Sequence, residues 1–247
     1  METGQTPGAQ DAAAEIISLV DAYTNEEQTA DVRPYLDRVI LGDCVDAMRH
    51  LPDGCADLVV TDPPYIVNYR ERGGRRIIND DNAAWIYPAF SQAYRLLKND
   101  AFCLSFYGWN HIDKFLVAWR ECGFKPVGHF VWVKTYSSSV GYSKMWHECA
   151  YLLVKGRPAR PVNPPPDVLA WGKYSGNKLH QTQKPVSALM PILQAYSKKG
   201  DVVLDPFGGS GSTAVAARAC GRHFVLFEIE KNNCETAQKR LLSAANE

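Results

Sequence analysis

The sequence predicts an α/β fold: a sheet with helices on its faces. Three observations carry that prediction. Short apolar runs of strand length alternate with segments of helical length along most of the chain. Two of these runs, 58–61 and 202–204, each end in an aspartate followed by proline. The second then passes through a glycine turn into an alanine-rich helix.

Residues 1–34 form an acidic extension. The first 31 positions hold seven acids and no Lys or Arg, and the apolar stretch at 12–20 predicts a short helix in an otherwise flexible head. A domain over 35–247 follows. It opens with a strand at 38–41 ending at Gly42-Asp43, a helix at 44–50 and a strand at 56–61. A polar loop at 66–82, centred on Gly73-Gly74, leads to a helix at about 83–98 and a strand at 101–107. A helix at about 110–121 precedes strands at 130–134 and 149–154. Prolines at 158, 161, 164, 165 and 166 then break the pattern, so 156–180 reads as an extended connection lying over the domain. Pro185 opens a helix to about 197; a strand at 201–205, the glycine turn at 208–213 with its helix, a strand at 223–227 and a last helix complete the chain.

Bulk properties narrow the setting. A chain of 247 residues with 46% hydrophobic content suits one substantial core or two small ones. No segment approaches the length of a membrane span, and the first residues lack the pattern of an export signal. Seven cysteines without a Cys-x-x-Cys pair read as free thiols in a reducing cytoplasm. The formal net charge of zero conceals a split: beyond the acidic head the body carries 27 basic against 20 acidic residues. A moderately basic body permits contact with phosphates.

Chemistry concentrates at two strand ends. Asp62-Pro63-Pro64-Tyr65 places hydrogen-bond acceptors beside a flat aromatic face, on backbone that the prolines stiffen. Such a site suits a planar heterocycle with an exocyclic amine, for example a nucleobase turned out of its stack. The second run, from Val202 through Asp205-Pro206-Phe207-Gly208-Gly209-Ser210-Gly211-Ser212-Thr213, lacks both the dinucleotide glycine spacing and the lysine of a phosphate loop. A sulfonium nucleoside has no phosphate and needs neither feature. Asp205 can face its ammonium or its positive centre. Glu228 ends a strand about 23 residues later, where an acid can grip two ribose hydroxyls or simply stand solvated at the strand terminus.

These motifs resemble those of bacterial and phage amino-methylating DNA methyltransferases. The likeness rests on Asp62–Tyr65, on 205–213 and on Thr182-Gln183-Lys184-Pro185 before the second motif, and it spans about 38–242. It implies a Rossmann-like methyltransferase sheet, predominantly parallel with an antiparallel strand late in the chain, and a circularly permuted motif order, the β group, because the catalytic motif precedes the donor motif. It implies S-adenosyl-L-methionine as cofactor and double-stranded DNA as substrate, methylated at adenine N6 or cytosine N4 through a flipped base. By that resemblance Asp62 and the Pro63 carbonyl accept the two amine hydrogens, and Pro64 and Tyr65 complete the pocket. Asp43 with Cys44, Thr182, Gln183, Lys184, Asp205, Phe207, Gly208, Gly209, Ser210, Gly211, Thr213 and Glu228 surround the cofactor. Asp43 also reads as a helix N-cap, and Phe207 as a core aromatic.

Asp at position 62 favours adenine, since the cytosine-N4 enzymes more often carry Ser there. Cytosine-N4 methylation, or a module that binds cofactor and nucleic acid without transfer, are the alternatives. Arg70, Arg72, Arg75 and Arg76, with only Glu71 as an acid among them, read as phosphate contacts beside the base pocket. Trp109, at another strand end on the same rim, either stacks on DNA or packs. The histidines lack compact ligand spacing, and methyl transfer from a sulfonium requires no metal. The connection at 156–180 is too short for an independent recognition domain. Recognition through loops, by a homodimer, or of a short target follows, with a cognate restriction endonuclease as a further partner. Trp171 in this connection reads as one of the recognition side chains.

Overall fold

A computed structural model describes residues 16–18, 31–69, 76–137, 142–172 and 183–244. Its strands are β1 (Ile16–Ser18), β2 (Arg38–Leu41), β3 (Ala56–Thr61), β4 (Leu97–Phe106), β5 (Lys125–Val133), β6 (His147–Lys155), β7 (Val168–Ala170), β8 (Val202–Asp205) and β9 (His223–Glu228). The helices are α1 (Cys44–Arg49), α2 (Ile86–Leu96), α3 (Ile112–Glu121), α4 (Val186–Tyr196), α5 (Ser212–Ala219) and α6 (Lys231–Ala244). Among the described residues none is long and apolar enough to cross a membrane.

The nine strands form one sheet in the order β1-β2-β9-β8-β3-β4-β6-β5-β7. Strand β6 pairs antiparallel with both β4 and β5, and every other pairing is parallel. The expected late antiparallel strand is therefore β6. Alternate side chains feed two helical layers, as a sheet covered on both faces requires. In β3, Leu58 and Val60 pack with Leu189, Ile192, Ala214 and Leu241 from α4, α5 and α6. Val59 between them faces Met48, Phe90, Phe115 and Trp119 from α1, α2 and α3.

Several segments depart from the sequence reading; β4, for one, begins at Leu97, inside the span expected as helix. Residues Ile16–Ser18 form an edge strand parallel to β2, where a short helix was expected. The β-branched pair Ile16-Ile17 suits a strand, and the open edge of β2 supplies the missing backbone partners. Strand β5 begins at Lys125, earlier than its apolar core at Phe130, because its half-exposed first residues carry a register shift between Pro126 and Gly128. Among its described residues the proline-rich connection contributes the three-residue β7, at the sheet edge where prolines nearby cost no ladder bonds.

Candidate active site

The chain leaves β8 through α5 to β9 on one side, and leaves β3 through α2 to β4 on the other. β3 and β8 are neighbours, with Leu58 opposite Val203 and Val59 opposite Leu204. Their carboxyl ends therefore flank the point where the sheet reverses direction, the place where open α/β sheets hold ligands. A cavity of about 560 Å³ opens there, lined by both predicted motifs, by Asp43 and Cys44, and by Glu228.

Asp62 lies at its centre. The Lys184 Nζ ammonium donates to Asp62 Oδ2 at 2.6 Å, and the Tyr65 hydroxyl to Oδ1 at 2.8 Å. Lys184 is buried, yet it has a carboxylate partner and lies over the Phe106 ring at 4.6 Å, both of which offset the loss of water. Burial, first, and the charges of Asp62 and Glu148 keep the Tyr65 phenol protonated far above its ordinary range. Backbone fixes this cluster as well. Ile66 adopts φ 61°, a costly conformation for a β-branched residue, and a Cβ on Gly108 would stand 2.4 Å from the Tyr65 carbonyl oxygen.

The second motif supplies buried acids. Asp205 accepts from the Phe207 amide at 3.1 Å, and burial pushes its carboxyl up to about 7. Glu228 accepts from the Gly209 amide at 2.7 Å through one oxygen and from the Glu230 amide at 2.7 Å through the other. Its carboxyl is raised by burial, which those amides partly counter. Gly208 must be glycine, because a Cβ there would meet Leu226 Cδ2 at 2.0 Å. Arg240 braces the loop, donating to the Ser210 carbonyl at 2.6 Å and to the hydroxyls of Ser210 and Ser212 at 3.1 Å each. Ser212 in turn donates to the Lys184 carbonyl at 2.7 Å, joining the second motif to the residue that holds Asp62.

The remaining expected residues divide. Gln183, Phe207, Gly209, Ser210 and Thr213 line the cavity, with Pro63 and Pro64. Asp43 is the N-cap of α1, accepting from the Val45 amide at 2.8 Å, while also facing the cavity. Arg76 is exposed at the cavity rim; Arg70, Arg72, Arg75 and Thr182 lie outside the described residues, as does most of the acidic extension. The near end of the arginine loop is tied down: buried Asp80 accepts from the Tyr69 amide at 2.7 Å and the Val67 amide at 3.3 Å. Trp109 is 64% exposed in the 3-10 turn after β4 and is not among the cavity-lining residues.

Three residues of the site escaped the sequence reading of its chemistry. Lys134, just past β5, forms a buried ion pair with Glu148 of β6, and the Tyr65 hydroxyl lies 3.4 Å from Glu148 Oε2. Trp171, expected as a recognition side chain, is buried in the cavity wall, its ring 5.1 Å from Lys134 Nζ and 5.8 Å from Lys184 Nζ. In the sequence Lys134 closes one apolar run and Glu148 stands just before another, with nothing to pair them.

A crossover sheet with two carboxylate-bearing strand ends in one cavity places a ligand site at the switch point. The DNA methylase family of N6 and N4 methyltransferases matches residues 56–239. YubD of Escherichia coli (strain K12), which carries a methylase name, is 48% identical over 206 residues, spanning 83% of this chain and 90% of its own. Two solved structures share the fold. The M1.HpyAVI–SAM complex has a TM-score of 0.66 at 23% identity, covering 82% of this chain and 98% of that one. The PvuII DNA methyltransferase, described as cytosine-N4-specific, has a TM-score of 0.67 at 16% identity, with coverages of 85% and 91%. The chain belongs to the N6/N4 DNA methylase family.

Proposed function

We propose that the protein transfers a methyl group from S-adenosylmethionine to adenine N6 in double-stranded DNA, acting on a base turned out of the duplex. The observation that supports it best is the placement of Asp62 and Asp205 at the ends of adjacent strands in one cavity. The cofactor, when bound, supplies an electrophilic methyl group on a sulfonium. Asp205 and Glu228 suit the cationic and ribose parts of such a ligand, and Asp205 has a physical reason to welcome a cation: burial has raised its carboxyl to about 7. Gly209, with no atoms within 4 Å of an added Cβ, offers backbone for close approach.

On the acceptor side, Asp62 and the Pro63 carbonyl take the two amine hydrogens and turn the nitrogen lone pair toward the methyl group. A ring-conjugated amine is a poor nucleophile, so orientation and partial rehybridisation are the work required. Transfer would leave the bonding pair on the sulfur of the bound cofactor, and the proton that the methylated nitrogen sheds would pass to the Asp62 carboxylate already accepting from that amine. Tyr65 gives the base a stacking face. Arg76, with the arginines before it, reads as a set of phosphate contacts. The short late connection supports recognition by loops or by a homodimer, and a cognate restriction endonuclease fits this setting.

Cytosine N4 is the second reading, favoured by the structural likeness to the PvuII enzyme. The test is incubation with labelled methyl donor and unmethylated duplex DNA, followed by nucleoside analysis. N6-methyladenine is expected; N4-methylcytosine moves the assignment to the second reading, and no label in DNA at saturating donor sinks both. Asp62→Ala is expected to retain donor binding and lose transfer, and equal loss of both assigns Asp62 to folding instead.

A further inference from the structure

We infer that Glu148 is a positioning residue for methyl transfer, taking over the Tyr65 hydroxyl hydrogen when the target amine reaches Asp62. The inference rests on the function proposed above. It begins from competition for Asp62. Asp62 Oδ2 holds the Lys184 ammonium at 2.6 Å and Oδ1 holds the Tyr65 hydroxyl at 2.8 Å, so an arriving amine meets a carboxylate already engaged on both oxygens. Tyr65 has one hydrogen to give, and two carboxylates face it: Asp62, and Glu148 Oε2 at 3.4 Å.

The longer contact is the one that can shorten. Rotation of the phenol hydrogen from Asp62 to Glu148 relieves Oδ1 for the amine without stranding a buried hydroxyl, which would be costly. Glu148 is built for this. Lys134, 4% exposed, pairs with Oε1 and leaves Oε2 toward Tyr65. Burial alone would raise the Glu148 carboxyl, but Lys184, Lys134 and the Tyr65 hydrogen bond overcome that and hold it below its ordinary value, so it stays an anionic acceptor. Lys184, 3.3 Å from the Tyr65 oxygen, remains beside the phenol in either arrangement. No bond to carbon forms or breaks in this step; one hydrogen bond is exchanged for another.

The experiment compares Glu148→Leu combined with Lys134→Met, which preserves charge balance, in the native chain and in the Tyr65→Phe background. Single-turnover methyl transfer and donor affinity are both measured. In the native chain the pair is expected to slow transfer roughly 10- to 100-fold, the rate equivalent of one stranded buried hydroxyl, with donor affinity changed by less than about 3-fold. In the Tyr65→Phe background the same pair should cost less than about 3-fold further, since no hydroxyl remains to be placed. Glu148→Gln, which keeps an acceptor oxygen, should lose no more than about 5-fold in the native chain, and this variant stands as the test if the Leu/Met pair does not fold. Equal losses in both backgrounds, an undiminished rate for the Leu/Met pair, or a Glu148→Gln loss of about 100-fold overturns the proposal. A native chain that binds donor and labels no DNA overturns the proposed function instead, so the two failures are distinguishable.

Discussion

Lys184 Nζ stands 2.6 Å from Asp62 Oδ2, although the two residues lie 122 positions apart in the chain and only Asp62 belongs to the Asp-Pro-Pro-Tyr motif. The sequence placed Lys184 beside the cofactor. In the folded protein its backbone carbonyl receives the Ser212 hydroxyl from the donor loop while its ammonium faces the acceptor side. Lys184→Met should therefore slow transfer by roughly 100-fold, the scale of a misplaced reacting group, while donor affinity falls by less than about 3-fold. Single-turnover rates and equilibrium titration of the donor check this. A purely cofactor-binding lysine would show the opposite pattern.

Asp205 predicts a pH dependence. Burial raises its carboxyl from 3.8 to about 7, so between those values the folded protein retains a proton that the unfolded chain releases. Unfolding free energy therefore falls as pH rises through that window, by on the order of 4 kcal/mol in total. Asp205→Asn should raise the melting temperature of the cofactor-free protein at pH 8 by several degrees and leave it nearly unchanged at pH 4. Donor affinity of the native protein should rise between pH 6 and pH 8, as the carboxylate forms to meet a cation, and that rise should vanish in Asp205→Asn. Scanning calorimetry and donor titrations at each pH measure both.

Gly208→Ala should damage the donor loop. The new Cβ would meet Leu226 Cδ2 at 2.0 Å, in a fully buried strand that has little room to yield. Overpacking of this kind costs about 1–3 kcal/mol. Donor affinity should fall together with thermal stability, and Leu226→Ala in the same chain should restore loop geometry and part of the affinity. Thermal melts and donor binding on the single and double variants decide the matter.

Replacing Arg70, Arg72, Arg75 and Arg76 with alanine should weaken duplex binding and flatten its salt dependence. The slope of log affinity against log salt should drop by roughly 1 for each arginine that neutralises a phosphate. Binding isotherms over a series of salt concentrations supply the slope. An unchanged slope with weaker binding would assign the loop a shaping role.

Legibility followed locality. β3 was read at its observed bounds and β8 to within a residue, because each is a contiguous apolar run stopped by an aspartate and a proline. Asp62, Asp205 and Glu228 line one cavity for the same reason: a charge at the end of such a run must sit at the sheet's edge. Glu148 and Lys134 were not tied to the chemistry, because their meeting depends on the antiparallel pairing of β5 and β6, which sets Trp132 opposite Glu148. No short spacing encodes that. Trp171 misled in the other direction, since an aromatic within a proline-rich, polar stretch looks exposed until the fold closes over it. Ile16–Ser18 was lost because strand against helix in so short a run is decided by a free partner edge elsewhere in the chain.

The adjacency of β3 and β8 has a consequence for the history of such chains. Both halves of the cavity hang from strand ends that the sheet sets side by side, whichever of the two the ribosome makes first. A gene rearranged so that its message starts within the 156–180 connection, with the old termini joined, would deliver the two ends in reverse order to the same neighbours. What selection must preserve is who stands beside whom, and the reading order of the message is free to drift.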